Sequence, residues 1–442
     1  MNHFNEVFFI FITMNIEELY SLYSKNYLVD TDTRTIRPNS IFFSLKGDNF
    51  NGNAFAKKAI ELGARYCVID EAKYEIEGVT ILVNNVLETL QTLATYHRQK
   101  LGIPIIGITG SNGKTTTKEL ILAVLKTQFK AKATRGNLNN HIGVPLTLLS
   151  FTNETEIGIV EMGANHQKEI EFLTTICEPD LGYITNFGKA HLEGFGGEEG
   201  VIKGKSELYT YLKEHHKTAL INPEDPIQLK LTSSLNKIVL NNEITIQSIQ
   251  PFLMVQYHNQ EIKTRLVGVY NETNIKAAIS IGEYYGITES NITAAIEGYH
   301  PTNNRSQLIK KNNNTVLLDA YNANPTSTLV ALDNFNSIKH RSKVAILGDM
   351  FELGDYAFDE HQKIVTYCKT LDIHRCIFVG KEFYKTNASE KYENFEKLKN
   401  EITKSPLKNR YILIKGSRGM SLERLLEIIN CCFVYDILVD YQ

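Results

Sequence analysis

The chain has 442 residues, a formal net charge of −3, and 43% hydrophobic and 22% charged residues. That is a globular composition with room for about three domains at ~150 residues each. The near-neutral balance excludes a broadly basic nucleic-acid surface and an electrostatic hold on an anionic membrane. Six cysteines, Cys67, Cys177, Cys368, Cys376, Cys431 and Cys432, show no C-x-x-C spacing and read as reduced thiols of a cytoplasmic protein.

Residues 1–13 carry the apolar run Val7-Phe-Phe-Ile-Phe-Ile-Thr13, too short to span a bilayer and without a basic leader or small-residue cleavage site. Met14 follows directly, so these residues read as an extension upstream of the true start. Residues 14–100 read as a small α/β unit. Its elements are a helix at 16–24, a strand over Ser40–Gly47, a helix at 54–63, strands at 65–70 and 79–83, and a helix at 86–100. Leu101-Gly-Ile-Pro104 is the expected junction to the next domain.

Residues 101–300 alternate strand and helix as a parallel sheet with crossover helices does. They open on Ile106-Gly-Ile-Thr-Gly-Ser-Asn-Gly-Lys-Thr-Thr-Thr117. A strand, a glycine-rich loop and a helix start in that order suit a phosphate chain, held by backbone N–H groups and the helix dipole. Gly110, Ser111, Asn112 and Gly113 form the cradle, with Thr116 in the helix that follows. Lys114 reaches the β- and γ-phosphates and Thr115 offers a hydroxyl to Mg²⁺. The strict spacing places its first glycine at 108, which is Ile; here it falls at Gly107. The runs Ile157–Glu161 and Leu181–Thr185 read as buried strands, the first ending in Glu161 and the second followed by His191, both candidate Mg²⁺ ligands. Lys205 lies on a helix, either at the phosphates or facing solvent. A mixed strand region covers 236–267, and a helix after Asn274 ends before Gly286.

Residues 301–442 read as a third α/β unit with strands at 315–319, 343–348, 376–380 and 410–415. A hairpin turn is expected at Asn312-Asn-Asn314, and the apolar 431–442 stretch reads as a final strand or an atypical tail. Arg305 is an interdomain arginine able to clamp phosphate. Asp319-Ala-Tyr-Asn-Ala-Asn-Pro325 is too polar for core: Asn322 and Asn324 either pin a turn or bond a nucleotide. Lys415-Gly-Ser-Arg418 suits carboxylate capture or is a basic surface turn.

Together these pieces resemble the Mur ligase family of peptidoglycan synthesis. The loop T-G-S-N-G-K-T-T at 109–116 is similar to that family's ATP loop, including the displaced glycine. Glu161 in E-M-G-A and His191 in T-N-F-G-K-A-H-L-E-G-F-G match its metal-associated positions. Lys205 in G-K-S-E-L-Y matches its carbamylated lysine, and Asn271 and Asn274 its asparagine pair. Four stretches resemble the branch that adds D-alanyl-D-alanine to UDP-MurNAc-tripeptide. They are D-T-R at 32–34 with F-F-S-L-K-G at 42–47, N-L-N-N-H-I-G-V-P at 137–145, D-A-Y-N-A-N-P at 319–325, and L-G-D-M-F-E-L-G at 347–354 with K-G-S-R at 415–418. No D-N-P-R, the amino-acid capture motif of a sister ligase, is present. Tyr270, Leu318 and Asn53 depart from the family pattern.

The resemblance implies an α/β fold of three domains. They are a UDP-binding domain at 14–100, a P-loop parallel-sheet ATPase domain at 101–300, and a Rossmann-like domain at 301–442. It implies ATP, two Mg²⁺ ions held by Thr115, Glu161, His191 and carbamylated Lys205, and catalytic roles for Lys114, His191, Lys205 and Arg305. Thr33, Arg34, Ser44, Lys46, Asn139 and Asn140 would contact the UDP substrate. Asn271, Asn274, Arg305, Asp319, Tyr321, Asn322 and Asn324 would contact ATP, and Lys415 and Arg418 the dipeptide. A cytoplasmic monomer is expected, with no nucleic-acid partner and no membrane span. Other readings are a sister ligase, a folylpolyglutamate synthase, or a nucleotide-binding scaffold without acceptor-dependent turnover.

Overall fold

The computed structural model describes residues 14–301 and 304–429. The apolar runs at 7–13 and 431–442 lie outside the described residues. The described residues fall into two compact units. The first comprises residues up to Gly107, Lys130–Met162 and Phe172–Asp180; the second comprises Ile108–Phe129, Gly163–Glu171 and the chain from Leu181 onward.

In the first unit, four short parallel strands lie in the order Val29–Asp30, Ile41–Phe43, Tyr66–Ile69, Thr80–Leu82. Phe42, Cys67 and Ile69 bury one face against Ala56 and Ala59 of the helix Ala56–Glu61. The strand expected over 40–47 stops at Phe43. Lys46–Gly47 instead pairs with Phe50–Asn51 as a separate ribbon. The cause is local: Gly52 closes on the Leu45 backbone, where a Cβ would stand 2.3 Å from the carbonyl oxygen. The helix Val86–Leu101 is capped by Asn85 at its start and ends at left-handed Gly102. Ala131–Ala133 pairs in parallel with Ile157–Glu161.

The second unit holds the parallel strands Leu181–Ile184, Thr218–Ile221 and Asn236–Val239. It also holds an antiparallel sheet of Ile244–Ser248, Met254–Tyr257 and Gln260–Lys263. The helices Lys114–Leu125 and Asn271–Tyr284 pack together, the second starting earlier than its apolar pattern predicts. Toward the C-terminus a six-stranded sheet runs Gln307–Lys311, Asn314–Asp319, Tyr411–Lys415, Lys343–Gly348, Arg375–Val379, Lys391–Tyr392, antiparallel only at its first edge. Lys311 pairs with Asn314, so Asn312 and Asn313 form a tight hairpin turn, with Asn312 left-handed. Asp319 pairs with Lys415 at the carboxyl ends of these strands, where open α/β sheets collect ligands.

Candidate active site

The buried strand Ile105–Thr109 ends in a loop that opens the helix Lys114–Leu125. Gly110 (φ +136°) and Gly113 (φ +83°) are left-handed, and a Cβ on Gly110 would stand 2.0 Å from Thr185 Oγ1. Gly107 is not part of this loop. It is a strand residue kept small by packing, with a Cβ site 2.9 Å from Met162 Cε. The loop is fastened to Thr185 and Asn186. The Ser111 N–H donates to the Asn186 carbonyl at 3.0 Å, and Thr185 Oγ1 and Asn186 Nδ2 donate to the Asn112 carbonyl at 2.6 and 3.0 Å. Lys114 Nζ arches back to the carbonyls of Gly110 (2.6 Å) and Ser111 (3.2 Å). Thr115 is buried in the first turn and Thr116 is half-buried. Ser111 Oγ and Asn112 Nδ2 are buried with no hydrogen-bond partner among the described residues. Such orphans cost ~1–3 kcal/mol each, and at a helix N-terminus they suit anionic oxygens.

Asn271 and Asn274, expected at the nucleotide, bond one another and the neighbouring helix. Asn274 Nδ2 donates to Asn271 Oδ1 (2.8 Å), Thr117 Oγ1 donates to Asn274 Oδ1 (2.9 Å), and Asn271 Nδ2 donates to the Val267 carbonyl (2.9 Å). The pair clamps two helices together behind the loop. A Cβ on Gly113 would meet Asn274 Oδ1 at 2.8 Å, so the clamp also fixes the loop's shape.

Lys205 lies within the helix Glu198–Glu214 and is 1% exposed. Its amine donates to the Ala164 carbonyl at 3.2 Å and lies 4.9 Å from the centre of the Phe195 ring. Burial, and then repulsion from Lys114, push its pKa well below the ordinary lysine value. His191 is left-handed, and its Nδ1 lies against the carboxylate of Glu352. The His191 imidazole there holds the Glu352 carboxyl below its usual range. In the first unit, Glu161 is buried at its strand end. Its N–H donates to Thr134 Oγ1 (2.9 Å) and its carboxylate accepts from Asn139 Nδ2 (3.0 Å). Asn139 therefore orients an acid, while Asn140 Oδ1 accepts the N–H groups of Ile142 (3.2 Å) and Gly143 (2.9 Å) in the turn before a short helix.

The segment 319–325 meets the loop. Asn324 caps the helix Pro325–Ser337, and its Nδ2 donates to Asn112 Oδ1 at 2.7 Å. Asn322 Oδ1 accepts the Ala323 N–H. Tyr321 lies between two guanidinium groups, with Arg305 3.7 Å and Arg418 5.1 Å from its ring centre. Arg418 is exposed, whereas Lys415, expected at an incoming dipeptide, is turned inward. Its amine is 2.7 Å from Asp319 and 3.1 Å from the Asn322 carbonyl. Asp319 also accepts from Ser306, which bonds Tyr270 Oη at 2.5 Å. The three departures from the family pattern are thereby accounted for. Tyr270 joins this network and Leu318 faces the sheet core. Asn53 is fully buried, bonded to Asp70 at 2.8 and 2.9 Å.

Among the remaining candidates, Lys46 pairs with Asp70 at 2.9 Å; burial raises the Asp70 pKa, but Lys46 and Asn53 outweigh it and leave it lowered. Arg34 is exposed and forked onto Asp32, with Thr33 in the same turn. Ser44 is fully buried, its hydroxyl without a partner among the described residues. Sequence reasoning missed two contacts, Asn112 with Asn324 and His191 with Glu352. All four residues stand in the quoted motifs, but no spacing rule pairs positions so far apart.

Three family models match in chain order. They describe the Mur ligase family catalytic domain at residues 26–101, the Mur ligase middle domain at 108–282, and the Mur ligase glutamate ligase domain at 304–418. The chain is 34% identical over 422 residues to the UDP-N-acetylmuramoyl-tripeptide--D-alanyl-D-alanine ligase of Bacillus subtilis, covering 90% of this chain and 92% of that one. It is 30% identical over 424 residues to the Escherichia coli ligase of the same description, covering 91% and 93%. Among solved structures, MurF from Acinetobacter baumannii superposes with a TM-score of 0.79 at 27% identity, covering 91% and 92%. The Thermotoga maritima MurF complex with ADP shares the fold, with a TM-score of 0.78 at 23% identity, covering 91% and 96%.

Proposed function

The chain belongs to the Mur ligase family, and from that premise we propose that it joins D-alanyl-D-alanine to UDP-N-acetylmuramoyl-tripeptide at the expense of ATP. The observation that carries this reading is the likeness to two such ligases along nine-tenths or more of each chain. The proposed domains are 14–100 for the UDP substrate, 101–300 for ATP and 301–442 for the dipeptide, in a monomer working in the cytoplasm. Among the described residues, no helix is long and apolar enough to cross a membrane.

An amide does not form from a carboxylate and an amine in water without activation. In this reading the terminal carboxylate of the tripeptide attacks the γ-phosphorus of ATP, ADP leaves, and an acyl phosphate forms. The dipeptide amine attacks the acyl carbon and phosphate departs. The loop N–H groups and Lys114 hold the phosphates against the repulsion of the incoming carboxylate. Arg305, its guanidinium stacked on Tyr321, is a preorganised fork for the transferred group. Contacts from the third domain at Asn112 and His191 shield the acyl phosphate from water.

Thr115, Glu161, His191 and Lys205 are the proposed Mg²⁺ ligands. Among the described residues, no three His, Cys, Asp or Glu side chains group as a metal cage. Mg²⁺ takes one or two carboxylates and completes its shell with phosphate and water. The donor set fits once Lys205 is a carbamate. Its buried, low-pKa amine can attack CO₂, forming an N–C bond and releasing a proton. Bound there, Mg²⁺ would offset the charge of the phosphates and the acceptor carboxylate.

The test is phosphate release from ATP with UDP-MurNAc-tripeptide, with and without D-alanyl-D-alanine, using the lysine and the diaminopimelate tripeptides in turn. Dipeptide-dependent release is expected. Release that ignores the dipeptide defeats the reading.

A further inference from the structure

The turn at residues 349–354 is anchored from behind. Asp349 accepts the N–H groups of Glu382 and Phe383 (both 2.9 Å), the Met350 N–H donates to buried His361 Nε2 (3.0 Å), and the Phe351 N–H donates to Ser417 Oγ (2.9 Å). So held, the turn carries Glu352 onto residues 191–193. The Glu352 carbonyl accepts the Glu193 N–H at 3.2 Å and its carboxylate lies against His191 Nδ1. Gly354 packs on Glu193, whose Cγ stands 3.0 Å from where a Cβ would be. His191 (φ +54°) and Glu352 (φ +62°) are both left-handed. Such a conformation costs a non-glycine residue ~1–3 kcal/mol and persists where the surroundings enforce it, most often at functional sites. Here two such residues face one another across one contact, each supplied by a different matched domain.

We infer that Glu352 is a positioning residue for the ligase reaction. Its carboxylate, lying against Nδ1, favours the tautomer and ring orientation in which His191 keeps its lone pair on Nε2 for the metal, and it does so only while the third domain is seated on the middle one. This rests on the proposal that His191 is a metal ligand. A carboxylate behind a ligating histidine is a recurrent device, and its loss typically weakens metal affinity ~10–100-fold.

The probe is Mn²⁺, titrated by electron paramagnetic resonance into full-length enzyme with ADP present. Wild type, H191A, E352G and E352Q are compared, with ADP affinity measured separately without metal. Glycine is chosen because φ +62° is unstrained for it, so E352G removes the carboxylate without burdening the fold. H191A and E352G are expected to weaken Mn²⁺ binding ~10-fold or more with metal-free ADP affinity unchanged. E352Q, whose amide oxygen can take the carboxylate's place against Nδ1, keeps most of the affinity. If E352G binds Mn²⁺ as wild type does while H191A does not, the role of Glu352 is overturned. If H191A also binds as wild type does, the metal reading of His191 fails and Glu352 falls with it.

Discussion

Replacing Asp319 with alanine leaves the Lys415 ammonium buried with one hydrogen-bond acceptor in place of two. The Lys415 side chain is 2% exposed, 2.7 Å from Asp319 and 3.1 Å from the Asn322 carbonyl. Removing one partner of a buried pair typically costs ~3–5 kcal/mol, because the other charge stays desolvated. The reverse change, K415M, is milder. Asp319 is 19% exposed and keeps two donors from Ser306, so ~1–2 kcal/mol is expected. The double variant D319A/K415M should then fall short of the summed single effects by ~1–3 kcal/mol of coupling. Urea unfolding followed by far-UV circular dichroism measures this, which suits a chain without tryptophan. If D319A costs under ~1 kcal/mol and the cycle shows no coupling, the pair is not what holds these strand ends. If K415M instead raises the KM for the dipeptide at unchanged stability, Lys415 serves the substrate after all.

Four further outcomes are expected. K114A should lower turnover by ~10² or more while the circular dichroism spectrum is kept; near-normal turnover would remove Lys114 from the phosphates. For Lys205, activity should fall in CO₂-depleted buffer and return with bicarbonate, and no response would mean that it stays an amine. Its lowered pKa also fixes a sign. In CO₂-free buffer the unfolded chain binds a proton that the folded chain does not, from ~10.4 down to the lowered folded value. Stability therefore rises with pH across that window, by at most ~1.4 kcal/mol per unit, and K205M should flatten the slope. N324S keeps the helix cap but loses the donor to Asn112, whereas N324A loses both. Only N324A should lose the ~1 kcal/mol of a cap, while both should impair turnover; equal stabilities would refute the capping role.

The order of elements was legible because the buried parallel strands read as continuous apolar runs. Ile105–Thr109, Ile157–Glu161 and Lys343–Gly348 are buried throughout, and the sequence shows each as one block. The loop was legible because glycine marks its two left-handed turns. Legibility failed where a polar side chain had two partners to choose from. Asn274, Asn324 and Lys415 carry groups that a nucleotide or a dipeptide would satisfy, and in the fold a neighbouring helix, a cap and an aspartate satisfy them. Composition cannot rank those alternatives; only the register of distant strands and helices can. Gly107 failed for a related reason, since a glycine needed for packing and one needed for a turn look alike in one dimension.

Several contacts between the third domain and the middle one near the nucleotide loop are polar: Asn324 with Asn112, Thr326 with the Lys189 N–H, Glu352 with His191, Glu360 with Lys189. A net hydrogen bond contributes ~0.5–1.5 kcal/mol and a partly exposed ion pair ~0–1. These four contribute a few kcal/mol at most to a closed arrangement. An apolar seam of similar extent would hold far more tightly, because its stabilisation grows with the whole area removed from water. A ligase working through an acyl phosphate has two opposed needs, exclusion of water while the intermediate exists and reopening once the amide has formed. A closure made of a few polar contacts next to the phosphates meets both.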